Sequence, residues 1–102
     1  MNKRDYLLEC LAEECAEVQH IKSKIIRFGL DDIHPITKIE NRKQLVDELV
    51  DLVAVMNLFL DEDSESREMY EYNIIEKIQL KEKKLKKYMQ YSESKGILSR
   101  NT

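Results

Sequence analysis

Only two glycines and one proline punctuate the 102 residues of this chain, too few for the many tight turns of a β-sandwich or barrel. Leu, Glu, Lys and Ile supply much of the remainder, and the fold class expected is all-α. A chain of this length makes one domain, residues 1–102, because cores divide only at a few hundred residues.

Leu7, Leu11, Val18, Ile21 and Ile25 recur at three- and four-residue steps, which predicts a helix from about Arg4 to Phe28. Gly29 is placed to end it in the left-handed conformation, with Leu30 folding back as in a Schellman cap. The pattern then dissolves from Leu30 to Glu40. Pro35 disfavours helix before it, so a loop of functional length is expected. Asn41, with Gln44 three residues on, resembles a capping box and starts a second helix that runs through Leu60. Between Leu45 and Leu60 twelve of sixteen residues are apolar, the exceptions being Asp47, Glu48, Asp51 and Asn57. A helix apolar on nearly every side is buried on nearly every side. Asn57, opposite Glu48 in projection, reads as an interhelix or interface amide.

The acidic run Asp61-Glu62-Asp63-Ser64-Glu65-Ser66 suits the start of a third helix, with Ser as its cap, extending to about Lys95. Tyr70, Ile74, Ile78, Leu85 and Tyr88 or Met89 form its stripe. Lys77 to Lys87 read as a solvated face, with Lys81 at the core edge and its head in water. Three helices make a thin bundle, and the second has more apolar faces than two partners in one chain would cover. A homo-oligomer, dimer or tetramer, is expected to complete the bundle.

Twenty acidic residues against 17 basic ones leave a net charge of −3, which argues against binding nucleic acid by bulk charge. No apolar run approaches the ~20 residues of a membrane span, and the N-terminal residues lead into an acidic helix rather than a signal-peptide core. A cytoplasmic protein without a membrane partner is expected. Cys10 and Cys15, five apart on one helix, point in different directions and read as reduced, partly buried thiols.

The most informative residues are acids where a core should be. At 100° per residue, Glu14 falls between Leu7 and Ile21 in projection, with Glu17 about 60° beyond. On the second helix Glu48 falls between Leu52 and Val55, and Asp51 between Val55 and Leu58. Acids at i and i+3 share a face, so an antiparallel helix pair brings two such pincers together. Their summed repulsion rivals the stability of a small domain unless protonation, basic partners or cations neutralise them. The inward surfaces offer few Lys or Arg. An all-oxygen site of this kind suits Mg²⁺ or Mn²⁺, hard ions that commonly bridge to phosphates; the alternative is that the acids lie at a helix edge and are solvated. Glu17-Val18-Gln19-His20 has the form of half a di-iron motif, but a di-iron bundle needs two, and the only other histidine, His34, lies in the loop. His20 projects about 120° from Glu14 and reads as a surface residue.

Glu13-Glu14-Cys15-Ala16-Glu17 followed by Glu48-Leu49-Val50-Asp51 resembles the EExxE and ExxD motifs of the MazG-like, all-α nucleoside triphosphate pyrophosphohydrolases. Lys24, Arg27-Phe28-Gly29-Leu30-Asp31-Asp32 and Asn41-Arg42 are similar to a branch of that superfamily frequent among phage and bacterial proteins. The resemblance covers residues 7–60 well and the Lys-rich third helix more loosely. Thirty residues separate Glu17 from Glu48, at the long end for that family. The resemblance implies hydrolysis between the α- and β-phosphates of a nucleoside triphosphate, releasing a monophosphate and pyrophosphate. It also implies that Glu14, Glu17, Glu48 and Asp51 bind Mg²⁺, with Glu13 an extra ligand or a water-orienting base. Lys24, two turns from Glu17 and within about 20° of it, either reaches a substrate phosphate or snorkels to solvent. Arg27, about 60° further round, contacts phosphate or bonds carbonyls at its helix end. The competing reading is a non-catalytic helical interaction protein that keeps the fold, since no purine or pyrimidine reader is legible.

Overall fold

The computed structural model of the chain describes residues 1–99; the single-domain reading also takes in Arg100, Asn101 and Thr102, which lie outside the described residues. Among the described residues the regular elements are all helices, with no strand, in the order α1 (Lys3–Phe28), α2 (Asn41–Glu62), α3 (Ser64–Glu71) and α4 (Ile74–Ser94). Residues 1–67 gather into one compact unit and residues 68–99 into a second. No helix among the described residues is long and apolar enough to cross a membrane.

In the first unit, Asn2 caps α1 by accepting the Asp5 N–H on its side-chain oxygen at 2.8 Å. Asp5 in the first turn and Arg27 in the last complement the helix dipole. The helix ends at the expected residue by a different geometry. Gly29 sits at φ 94° and ψ 162°, a region open almost only to glycine, and its N–H bonds the Ile25 carbonyl at 2.7 Å. The chain leaves the helix extended, and no Schellman return bond from Leu30 forms among the described residues.

Residues 30–40 close on themselves. Ile33 and Glu40 form an isolated antiparallel bridge, the His34 N–H bonds the Ile39 carbonyl, and the Lys38 N–H bonds the His34 carbonyl, both at 3.0 Å. The expected capping box does not form: Glu40 is the N-cap of α2 and gives no side-chain cap bond. Asn41 is instead the first helical residue, 5% exposed, and its side-chain amide donates to the Gly29 carbonyl at 3.0 Å. The backbone N–H groups of Asn41 and Arg42 donate to the Asp32 and Leu30 carbonyls, each at 2.9 Å. Arg42 also meets Asp31 at 2.6 Å. The end of α1 is thereby tied directly to the start of α2.

The two helices run antiparallel and pack along their lengths. Ile21 is fully buried and Leu60 nearly so. Leu7, Leu11, Val18 and Ile25 of α1, and Leu45, Leu52, Val55, Met56 and Phe59 of α2, are half-buried around them. The expectation that α2 is buried on nearly every side fails within one chain, where Val46, Leu49, Val50 and Val53 remain 43–60% exposed. Asn57 is engaged through its backbone carbonyl, which accepts from Arg67 at 3.4 Å, and Arg67 also pairs with Asp61.

Between α2 and α3 the capping group is Asp63 rather than a serine. Its carboxylate accepts the Ser66 N–H at 3.1 Å and the Ser66 hydroxyl, and these bonds hold its pKa below the usual carboxylate range. The single third helix expected to reach Lys95 is in fact two, giving four helices instead of three. Asn73 adopts the left-handed conformation at φ 54° and ψ 34°, which Asn tolerates better than most residues. In the second unit the Lys77 ammonium donates to the Met69 carbonyl at 3.1 Å across this break. Lysines 77, 84 and 95 lie over the rings of Tyr72, Tyr88 and Tyr91 at 5.6–5.9 Å. Lys81 is exposed, and no side chain of α4 is buried.

The geometry at Gly29 yields a test. An added Cβ would meet nothing within 4 Å, so any cost of Gly29→Ala comes from the backbone conformation alone. Urea unfolding should show a loss of about 1–3 kcal/mol; an unchanged midpoint would mean that the turn does not require this conformation.

Candidate metal centre

Glu14 and Glu17 stand one turn apart on the side of α1 that faces α2, and the antiparallel return brings Glu48 to their level. One carboxylate oxygen from each of the three lies within 4.8 Å of the others. Opposite oxygens around an octahedral Mg²⁺ are about 4 Å apart; carboxylates are donors of the right type for such an ion, and these three stand at separations of up to 4.8 Å. Glu14 and Glu48 are half-buried and Glu17 is exposed. The Oε2 atoms of Glu14 and Glu48 are both shut off from solvent, and neither meets a hydrogen-bond donor. Buried polar atoms in native proteins are nearly always paired, and these two oxygens depart from that rule.

The electrostatics agree. Burial raises the pKa of Glu14, and the charges of Glu17, Asp51 and Glu13 raise it further. Glu48 is pushed up to about 7, first by the hydrogen bond its protonated form makes with Glu17, then by burial, then by the charges of Glu17, Asp51 and Glu14. A proton between Glu48 and Glu17 relieves the repulsion in one way; a cation relieves it in another.

The remaining residues singled out from the sequence fall around this triad. Asp51 is exposed and its oxygens lie outside the close group, although its charge reaches both Glu14 and Glu48. Glu13 is exposed and acts on Glu14 by charge. Lys24 is half-buried and has no ion-pair partner among the described residues. It lines a depression of about 350 Å³ that Glu48 also borders. Arg27 bonds a carbonyl near its helix end: its Nε donates to the Ser23 carbonyl at 3.4 Å, and its guanidinium lies 5.3 Å from the centre of the Phe28 ring. Both thiols are free; Cys10 is half-buried, but Cys15, expected to be partly buried, is exposed.

Sequence reasoning missed two neighbours of the acids. His20 and Gln44 line a depression of about 330 Å³ with Ala16, Glu17 and Glu48. The projection of His20 away from Glu14 hid its position one turn beyond Glu17, which the i, i+3 spacing contains. Gln44, which the sequence offers as a capping residue, lines this depression instead.

Compared with protein families, with curated proteins and with solved structures, the chain matches none of them.

The raised pKa of Glu48 has a defined consequence for stability. Its folded value of about 7 lies above the ordinary 4.5, so the folded chain holds this proton more tightly than the unfolded one. The stabilisation is fully present below about pH 4.5 and is lost as pH rises through about 7. Chelator-treated protein should therefore lose melting temperature across that window, whereas Glu48→Gln, neutral and nearly isosteric, should lose much less and be no less stable at about pH 8. A Glu48→Gln variant that melts well below the parent at that pH would remove the repulsive cluster.

Proposed function

We propose that this chain is a Mg²⁺-dependent nucleoside triphosphate pyrophosphohydrolase of the MazG-like kind, cytoplasmic and homo-oligomeric, that cleaves between the α- and β-phosphates. The observation that carries this reading is the meeting of the two acidic motifs across α1 and α2, with two buried carboxylate oxygens left without donors. Glu14, Glu17 and Glu48 would hold Mg²⁺ or Mn²⁺, and Asp51 would complete the donor set from the solvent side. When bound, such an ion offsets triphosphate charge and acidifies a coordinated water.

The chain's own residues supply the rest. Glu13, exposed beside Glu14, is free to orient a water or to accept its proton at a carboxylate oxygen. Lys24 offers an ammonium to the phosphates from the depression that Glu48 borders. Arg27, held by the Ser23 carbonyl, lies further along the same helix and keeps guanidinium donors for phosphate.

The surface of α2 supports the oligomer. Val46, Leu49, Val50 and Val53 fall within about 100° of arc and are exposed, on the side of the helix away from Glu48. A second copy, in a dimer or tetramer, would cover that apolar arc without touching the acids.

Incubation with a panel of triphosphates and Mg²⁺, with pyrophosphate and orthophosphate measured separately, should show pyrophosphate and a monophosphate. Orthophosphate with a diphosphate would reject cleavage at the α-phosphorus. No turnover of any triphosphate at several Mg²⁺ and Mn²⁺ levels would favour a non-catalytic interaction protein, a reading to which the exposed apolar arc also lends itself. Sedimentation should separately show a dimer or larger, weakened by Val50→Lys. A concentration-independent monomer would reject the oligomer.

A further inference from the structure

His34 has no part in the acidic motifs, yet it is the residue of the 30–40 loop most firmly fixed by its own side chain. Its Nδ1 accepts two backbone bonds, from the Ile36 N–H at 3.1 Å and the Thr37 N–H at 3.2 Å. A ring nitrogen that accepts carries no proton, so in the neutral imidazole the proton sits on Nε2, which is then a donor. Nε2 has no partner among the described residues. The half-buried ring lines two adjoining depressions, and Lys24 lines both of them with it. One is also lined by Glu48, the second also by Arg27 and Phe28. The acids that share these walls are Asp47, Glu48 and Asp32, and Asp47 is paired with Lys43 at 2.8 Å.

We infer that His34 Nε2–H and the Lys24 ammonium form a donor pair for the terminal diphosphate of the substrate, the part that departs as pyrophosphate. The identity of this ligand rests on the pyrophosphohydrolase reading; the donor geometry does not. The loop fixes the tautomer, and the backbone bonds prevent the ring from turning its acceptor nitrogen toward an anion. The result is a donor fixed in its tautomer that lines the same two depressions as a flexible cation. A nucleoside monophosphate lacks the group that this pair would hold.

The test uses His34→Asn. An asparagine side-chain oxygen branches from the same Cγ as Nδ1 and can accept the same local N–H groups, so the loop keeps its internal acceptor and loses only the far edge of the ring. Titration calorimetry with inorganic pyrophosphate, in Mg²⁺ buffer, should show affinity reduced about tenfold or more, the scale of a lost hydrogen bond to a charged group. Nucleoside monophosphate affinity and melting temperature should not change. In the unmodified protein, ¹⁵N–¹H spectra of the two histidines should show pyrophosphate moving the His34 Nε2 resonance, a readout that holds even if the variant folds poorly. Equal pyrophosphate affinity in parent and variant, no binding by the parent, or a loss confined to the monophosphate would each overturn the inference. His34-dependent pyrophosphate binding without hydrolysis of any triphosphate would sustain the inference and sink the proposed activity.

Discussion

The Asn41 side chain bonds the Gly29 carbonyl across twelve residues, and the register of the first unit depends on that contact. Loop closure alone would let α2 return beside α1 at several offsets, because an apolar stripe can slide by a turn and still find apolar partners. The Asn41 amide, together with the backbone bonds from Asn41 and Arg42 to Asp32 and Leu30, fixes where α2 starts relative to where α1 stops. Once that offset is set, Glu48 arrives opposite Glu17, and Asp51 comes close enough for its charge to act on Glu14. A buried side-chain amide is costly unless it is paired, so the contact discriminates against other registers as well as stabilising this one.

What it positions is unfavourable. Three carboxylates share one small space, and the two innermost oxygens have no donor. Sequences that fold well satisfy local and global preferences together, and departures from that rule concentrate at functional sites. The cluster is such a departure, built on two long helices rather than on a mobile loop. The raised pKa values of Glu14 and Glu48 express the same tension in protonation terms: the fold tolerates the acids most easily when one of them is neutral.

Both long helices and the acids that join them were legible in the sequence, because each depends on period. Leu7 to Ile25 and Leu45 to Leu60 mark their faces by spacing alone, and an acid inside an apolar stripe is visible wherever the stripe is. Asn73 was not legible as a break, since the apolar period continues from Tyr70 to Ile74 and a single Asn in the left-handed region leaves no mark on it. Nor were the Asp63 cap and the closed form of the 30–40 loop, where hydrogen bonds to particular atoms decide the outcome. Asn41 shows the difficulty well. Its identity pointed to a cap, but the same amide served a longer contact, and composition cannot rank two uses of one donor. The same limit hid which ring nitrogen of His34 its neighbours occupy.

The composition of α2 takes on a sharper meaning against this geometry. A helix with twelve apolar residues in sixteen is more hydrophobic than a two-helix contact requires, and the surplus is not spread evenly. Glu48 and its neighbours Leu52 and Val55 turn toward α1, while Val46, Leu49, Val50 and Val53 make an exposed arc on another side. The two faces ask for different partners: the acidic one for positive charge, the apolar one for more apolar surface. Because they point apart, satisfying one leaves the other open. A partner on the apolar arc would also keep water from the back of α2 and stiffen the helix that carries Glu48 and Asp51. That would hold two of the acids in place against their own repulsion without covering the face that Glu48 turns toward α1.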